Sequence, residues 1–149
     1  MNWRDGRCNQ ARIATVGALA KAVGAVLAAV VLAGCAAALT ADAPDEAKRE
    51  MARSRALARW DLLIKGDAGA AYEYLSKGSR QVVARSEFVS RMSKTQFRTV
   101  KVESVECQRE SCQVQVRFTY DHPLMKNVGN GAREDWIVED GNIWYVWSL

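Results

Sequence analysis

The segment CQVQVRFTY, residues 112–120, alternates strictly between apolar and polar side chains. This two-residue period predicts a β-strand with one face against a core and the other face in water. The preceding segment, residues 100–107, has its valines at even positions as far as Val102, and its apolar residues at odd positions afterwards. A one-residue bulge near residues 103–104 would restore a common apolar face. The two segments are therefore predicted to form a bulged β-hairpin.

Two cysteines, Cys107 and Cys112, flank the polar turn of this hairpin. A turn centred on Arg109 and Glu110 would place them opposite each other, and a pair that is not hydrogen-bonded suits a disulfide. In an oxidising compartment the bond should form and contribute about 2 kcal/mol. The spacing differs from that of the redox motif CxxC, and a metal site would need two further ligands in a chain with one histidine. A structural disulfide is therefore predicted, rather than a thiol catalyst or a metal site.

A second hairpin is predicted at the C-terminal end, where Asp140-Gly141 separates residues 133–139 from residues 142–148. With a two-residue turn, one face of this hairpin carries five apolar side chains, Trp136, Val138, Ile143, Tyr145 and Trp147. The other face is also apolar and carries Ile137, Trp144 and Val146. We therefore expect the hairpin either to be covered on both faces or to pair with another chain.

The region before residue 97 has the 3.6-residue period of helices, which are predicted over residues 45–65, 68–75 and 86–93. Gly66 ends the first helix, Asp67 caps the second, and Ser86 caps the third. The first half of the first helix, residues 48–55, is polar and is expected to face solvent. Residues 76–79, Ser-Lys-Gly-Ser, are expected to break the pattern. The predicted fold class is α+β, with N-terminal helices packed on a curved, bulged antiparallel sheet of about four strands.

Near the N-terminus, residues 32–35 read Leu-Ala-Gly-Cys behind an apolar stretch without charge from Ala22 onward, and arginines precede that stretch. This pattern resembles the lipobox of bacterial lipoproteins, in which a lipid is attached to the cysteine and the chain is cut before it. The resemblance implies a signal peptide over residues 1–34, lipid on Cys35 and a domain in the periplasm. Ala36, in place of Asp, resembles the signal for transport to the outer membrane.

The alternative to cleavage is a retained membrane anchor, because residues 22–39 give about 18 uncharged residues, close to the minimum for a transmembrane helix. Ala and Gly dominate this stretch and would make a poor spanning helix. Residues 36–44 are small and polar and predict a structureless tether with a reach of roughly 30 Å. The predicted organisation is a signal peptide over residues 1–34, a lipidated tether over 35–44 and one domain over 45–149.

The charge of the chain argues against nucleic-acid binding. Four of the 21 Lys and Arg residues and one of the 17 Asp and Glu residues lie in the first 34 positions, which leaves 17 basic and 16 acidic residues after the predicted cut. These charges are interspersed, whereas nucleic-acid-binding domains usually present a clustered basic face. No nucleic-acid partner is predicted.

The order of elements and several aromatic motifs resemble the cone-shaped nuclear transport factor two-like superfamily. The motifs are Arg59-Trp60 with Gly66-Asp67, residues 71–76 reading Ala-Tyr-Glu-Tyr-Leu-Ser, and Trp136 followed by residues 141–146 reading Gly-Asn-Ile-Trp-Tyr-Val. The resemblance covers roughly residues 46–149. It implies a sheet curled around the helices to form a cavity. It also implies either an enzyme, as in the ketosteroid isomerase-like and epoxide hydrolase-like members, or a noncatalytic binding domain.

Seven aromatic side chains are candidates to line such a cavity: Trp60, Tyr72, Phe118, Tyr120, Trp136, Tyr145 and Trp147. Enzymes of the superfamily place acidic groups inside the cone, where burial shifts their pKa. Here Asp61, Glu73, Glu134 and Asp135 stand beside core positions, but each is equally compatible with a solvent-facing position. His122, at the start of a predicted loop over residues 121–131, is either an acid-base group or an exposed turn residue. No catalytic residue, metal ligand or cofactor is assigned.

Two functions are compatible with these residues. The favoured one is a noncatalytic envelope lipoprotein, held to the membrane by lipid on Cys35, that binds a partner protein or a small apolar ligand. The alternative is a small-molecule isomerase or hydrolase that uses a cavity carboxylate or tyrosine. Homodimerisation through the sheet is compatible with both. The predicted loop, which contains Leu124, Met125 and Val128, is expected to cover the mouth of the cone or to serve as a contact surface.

Overall fold

The computed structural model describes residues 38–148. Four helices come first: α1 (Asp45–Ile64), α2 (Ala68–Tyr72), α3 (Lys77–Val82) and α4 (Arg85–Met92). Four strands follow: β1 (Gln96–Gln108), β2 (Ser111–His122), β3 (Met125–Glu139) and β4 (Asn142–Val146). They form an antiparallel sheet in the order β1-β2-β3-β4, which is curved and open. The predicted α+β arrangement of helices followed by a four-stranded sheet is confirmed.

Two predictions fall outside this range. The signal peptide over residues 1–34 and the lipid site Cys35 precede the described residues and stay predictions. Within residues 38–148, no helix combines the length and the apolar character needed to cross a membrane.

The end of α1 follows its sequence signals closely. Gly66 has a φ of +81°, a left-handed conformation that glycine adopts without a Cβ clash. The amide of Gly66 donates to the Leu63 carbonyl and that of Asp67 to the Leu62 carbonyl, which is the Schellman arrangement. The Asp67 carboxylate then accepts from the Ala70 amide at 2.9 Å and caps α2. The predicted end of α1 and the predicted start of α2 are thus confirmed.

The predicted break at residues 76–79 is wrong. Ser76 is the N-cap of α3, because its Oγ accepts from the Ser79 amide at 3.2 Å. The serine that suggested a breaker is therefore a helix start signal. The third predicted helix exists as α4, but Ala84 rather than Ser86 occupies the N-cap position and provides no side-chain hydrogen bond.

Helix α2 stops at Tyr72, earlier than predicted, because the chain after it pairs with β4. The Tyr145 amide donates to the Tyr74 carbonyl and the Ser76 amide donates to the Tyr145 carbonyl, each at 2.8 Å. The edge of β4 is therefore covered by residues of the same chain. Pairing with a second chain was one of the two expectations for this hairpin. On β4 itself, the Arg55 guanidinium lies over the Trp144 ring at 4.6 Å.

The two predicted hairpins have the predicted register. Cys107 lies opposite Cys112 and forms a disulfide with it, and the register of β1 and β2 shifts between Val102 and Ser104, where the bulge was expected. In the second hairpin Trp136 pairs with Tyr145 and Val138 with Ile143. Its turn residues Asp140 and Gly141 both have positive φ, +50° and +77°, as a type I′ turn requires.

The predicted loop over residues 121–131 is wrong. β2 continues to His122 and β3 begins at Met125, and the paired strands leave a turn of two residues. No described residue of β2 beyond Val116 is buried, and the matching part of β3 before Glu134 is likewise without a buried residue. With both faces partly or fully in water, residues 121–131 show no two-residue period, and their glycines and asparagines suggested a loop instead.

The prediction of a structureless tether is wrong for residues 39–44. Leu39 is buried, and its amide donates to the Gly141 carbonyl at 2.9 Å. Lys48, expected in solvent, is 2 % exposed and donates from Nζ to the carbonyls of Ala41 at 3.0 Å and Arg109 at 2.7 Å. The chain before α1 is therefore packed against the hairpin turns.

Candidate functional site

A buried ion pair lies at the centre of the domain. Arg59 of α1 and Glu134 of β3 are each 3 % exposed, and Nη1 of Arg59 lies 3.0 Å from Oε1 of Glu134. Glu134 stands two residues before Trp136, so strand alternation brings both side chains to the face that packs against α1. Of the four carboxylates named beside core positions, Glu134 is the buried one.

Both carboxylate oxygens of Glu134 are engaged. Oε1 accepts from Arg59 and from the Trp60 indole at 2.8 Å, while Oε2 accepts from the Trp136 indole at 3.2 Å. Burial of two opposite charges costs several kcal/mol per ion unless hydrogen bonds and good geometry compensate. The three donors provide this compensation for the carboxylate and hold it in one orientation, whereas Nε of Arg59 is buried without a hydrogen-bond partner among residues 38–148.

The guanidinium of Arg59 also stacks on an aromatic ring. Its Cζ lies 3.9 Å from the centroid of the Tyr145 ring, within the range of a cation–π interaction. Burial raises the pKa of the Tyr145 hydroxyl, although the Arg59 cation opposes this shift. Tyr145 therefore stays protonated at neutral pH, and it contributes a ring surface to the cation rather than a base.

The seven aromatic side chains predicted to line a cavity fall into two packed groups. In the first group Trp60 and Phe118 have ring centroids 4.7 Å apart, and Phe97 and Tyr120 join them. In the second, Trp136 packs on Tyr145, which contacts Trp147; Phe88 joins Trp147 to Tyr72. Within residues 38–148 these rings therefore contact one another. Their role as the lining of a ligand cavity stays a prediction.

Several open clefts lie around this interior, and three of them border residues named above. One of about 340 Å³, at the end of α1, is bordered by Leu63, Met92 and Phe97. Another of about 350 Å³, between α3 and β4, is bordered by Val82 and Trp147 among others. The third, of about 290 Å³, lies at the end of the β2–β3 hairpin and is bordered by Lys94, Asp121, His122 and Lys126 among others. The clefts described here are lined by residues other than Glu134.

The β2–β3 tip, residues 121–126, presents apolar side chains to solvent. Leu124 is 87 % exposed and Met125 is 59 % exposed. The exposed His122 accepts a hydrogen bond at Nδ1 from the Leu124 amide at 3.3 Å, which helps to fix the turn. His122 is therefore the exposed last residue of β2, directly beside the turn.

Asp121 organises the charges beside this tip. Its Oδ2 accepts from Nε of Arg98 at 2.9 Å and lies 3.4 Å from Nζ of Lys126, and its Oδ1 accepts from the Asn127 amide. The Arg98 hydrogen bond, followed by that from Asn127, lowers the pKa of the carboxyl to about 2. Arg98 and Lys126 both pair with this one carboxylate and Lys94 lines the same cleft, so the surroundings of the tip are basic.

Sequence reasoning missed the Arg59–Glu134 pair and found the tip only as a loop. The burial of Glu134 could have been inferred because it lies on the same strand face as Trp136, and that of Arg59 because it is next to Trp60. A charged residue at such a position, however, ordinarily indicates a solvated face. Among residues 38–148, no three His, Cys, Asp or Glu side chains are grouped in a way that could hold a metal ion.

Comparisons with known proteins give information about the fold alone. No family model matches the sequence, and no curated protein matches it. A SEC-C motif-containing protein from Rhodopseudomonas palustris is similar with a TM-score of 0.50 and 11 % identity, over 60 % of this chain and 70 % of that one. An NTF2-like transpeptidase from Campylobacter jejuni has a TM-score of 0.46 and 11 % identity, over 66 % and 96 %, a similarity too low for inference. The likeness of this chain to known structures is therefore one of fold.

Proposed function

We propose that this protein is a noncatalytic interaction domain of the bacterial cell envelope, anchored to the membrane by lipid on Cys35. The outer membrane is the proposed location, since Ala36 follows the cysteine. We also propose that its fold is the cone of the nuclear transport factor two-like superfamily. One contrast carries the proposal: buried donors occupy both carboxylate oxygens of Glu134, whereas apolar side chains of the β2–β3 tip stand in solvent.

The hydrogen bonds of Glu134 support a structural role. A general base must direct a free oxygen at the proton that it removes. Arg59, Trp60 and Trp136 occupy both oxygens of Glu134, and their side chains are themselves packed in the core. A substrate would have to displace an indole or the guanidinium to reach the carboxylate. The alternative of a small-molecule isomerase or hydrolase is for this reason not favoured.

The tip supports recognition of a protein partner. Leu124 and Met125 offer apolar area, and exposed apolar groups bordered by charge commonly mark contact sites. Lys94 and Lys126 line the cleft at the same end of the hairpin, and Arg98 pairs with Asp121 there. The complementary surface is an apolar pocket rimmed by carboxylates, and we propose an envelope protein with such a pocket as the partner. A homodimer through the sheet stays compatible with this proposal.

Photo-crosslinking in intact cells tests the proposal. A photo-crosslinking phenylalanine analogue at position 124 should yield a defined adduct, and the same analogue at Gln113, on the wet face of β2, should yield none. Charge reversal at Lys94 and Lys126 should abolish the adduct, whereas reversal at the exposed Arg133 should leave it unchanged. Equal adducts at both positions, or turnover of a small molecule that depends on Glu134, would contradict the proposal.

A further inference from the structure

Two turns meet at one end of the sheet. The β1–β2 turn contains Arg109 and Glu110, and the β3–β4 turn contains Asp140 and Gly141. The Val138 amide donates to the Glu110 carbonyl at 2.7 Å, which holds the two turns side by side. We call this part of the domain the turn end. The β2–β3 tip lies at the opposite end of the same strands.

The chain before α1 is fixed to the turn end at Leu39. The Leu39 side chain is 6 % exposed, and its amide is bonded to the Gly141 carbonyl. A Cβ at Gly141 would lie 3.0 Å from the Cβ of Ala38, so the chain passes directly over this glycine. The contact is therefore part of the packed domain and not an end of a flexible tail.

Lys48 fastens the same segment from the other side. Its ammonium has three N–H donors. Two are directed at the carbonyls of Ala41 and Arg109, and the Asp45 carboxylate lies 2.8 Å away. A lysine is rarely buried unless it is paired in this way. One buried cation thus links the segment before α1, the first turn of α1 and the β1–β2 turn.

We propose that the turn end faces the lipid bilayer at short range, with zwitterionic headgroups as its neighbours. This inference rests on the proposed lipid anchor. Four residue steps separate Cys35 from Leu39, and they span at most about 14 Å when fully extended. Because Leu39 is fixed to the turn end, the lipid and this end of the domain cannot lie farther apart than that. The anchor therefore sets orientation as well as location.

The charges of the turn end indicate how it is held. Asp42, Glu110 and Asp140 stand there beside Arg109, and Lys77 is paired with Asp140. These charges nearly balance, so the face has no strong attraction to anionic lipid, and the short chain to the lipid holds the domain in place. Salt weakens attraction between exposed charges by Debye screening. Because such attraction does not hold this face to the bilayer, high salt should leave the orientation unchanged.

The orientation has a consequence for the β2–β3 tip. A strand of 12 residues, the length of β2, extends about 40 Å at roughly 3.3 Å per residue. The tip then projects up to about that far from the bilayer, beyond lipid headgroups and within reach of other envelope proteins. Leu124 and Met125 would accordingly meet protein and not lipid.

Fluorescence quenching on the full-length, lipidated protein tests this orientation. The protein is reconstituted in vesicles of phosphatidylethanolamine and phosphatidylglycerol that carry nitroxide on the lipid headgroups. A fluorophore is attached at Glu46→Cys, exposed in the first turn of α1 near the turn end, or at Leu124→Cys. We expect several-fold stronger quenching at position 46 than at position 124, unchanged by high salt. Equal quenching, or stronger quenching at position 124, would overturn the inference.

A matched variant tests the short connection itself. Insertion of a long Gly-Ser segment after Ala36 leaves every described contact in place and should lower the quenching at position 46 toward that at position 124. Unchanged quenching would show that something other than the short connection holds the face. The intact mass of the same preparation separates two failures: lipidated protein with equal quenching overturns the orientation alone, whereas protein without lipid overturns the anchor as well.

Discussion

The two halves of the β2–β3 hairpin use similar strand geometry for opposite purposes. In the half under α1, buried and exposed residues alternate, and Glu134 is bound by three donors among aromatic rings. In the half beyond Val116, no described residue is buried, and Leu124 and Met125 stand in water. The first half uses its polar groups to fix the fold, whereas the second leaves apolar groups open to another molecule. Sensitivity to mutation should divide along the same line.

The largest loss of stability is expected for Glu134→Gln. The substitution keeps the shape of the side chain but leaves Arg59 as a buried cation without its partner charge, which costs on the order of 3 kcal/mol. Urea unfolding followed by tryptophan fluorescence measures the free energy. The control is Asp135→Asn, exposed on the same strand, which should stay within about 0.5 kcal/mol of the wild type. A loss of similar size in both variants would contradict the structural role of Glu134.

A smaller loss is expected from opening the disulfide at the turn end. Cys107 and Cys112 close a short loop, so reduction or the double variant Cys107→Ser/Cys112→Ser should lower the free energy of unfolding by about 2 kcal/mol. Unfolding with and without reductant measures it. A double variant that responds to reductant as the wild type does would show that the effect has another origin.

Substitutions at the tip should separate stability from recognition. Leu124→Ser/Met125→Ser removes side chains that are largely in solvent, so the free energy of unfolding should change by less than about 0.5 kcal/mol. The partner adduct, formed from a crosslinker placed at Val128, should fall several-fold. A destabilised double variant, or one that keeps the full adduct, would remove the distinction between the two halves of the hairpin.

The smallest effect concerns the pH response of the tip. The pKa of Asp121 is lowered from 3.8 to about 2, because Arg98 and Asn127 stabilise its charged form. A lowered pKa in the folded state stabilises it above the ordinary pKa, and this contribution is lost as pH falls from about 4 through about 2. Carboxyl NMR should give a midpoint near 2, and Asp121→Asn should flatten amide exchange of the hairpin over that window. A midpoint near 3.8 would rule out the ion network.

Strict alternation made one part of the fold predictable. Residues 112–120 face a core on one side and water on the other, so the two-residue period fixed their strand, the paired cysteines and the bulge near residue 103. Asp140-Gly141 likewise specified its turn, because a type I′ turn needs two positive φ angles. Residues close together in the sequence determine these features, so the features can be predicted from the sequence.

Other parts depend on contacts between distant residues. Glu134 is buried because Arg59, 75 residues away in sequence, supplies its charge partner. Lys48 is buried because the Arg109 carbonyl, 61 residues away, accepts a hydrogen bond from its ammonium group. The continued strands over residues 121–131 pair through the backbone without a buried face. Hydrophobic periodicity carries no signal for any of these arrangements, which is why the interior ion pair and the hairpin tip could not be predicted from the sequence.

Hydrogen–deuterium exchange tests the contrast between interior and tip most directly. The lipidated protein is compared in native envelope membranes and in purified form in detergent. We predict that amides of the β2–β3 tip exchange more slowly in native membranes, where the partner is present, while amides around Glu134 and Trp136 exchange equally slowly in both. Equal exchange at the tip in both preparations, or a change confined to the interior, would contradict the account.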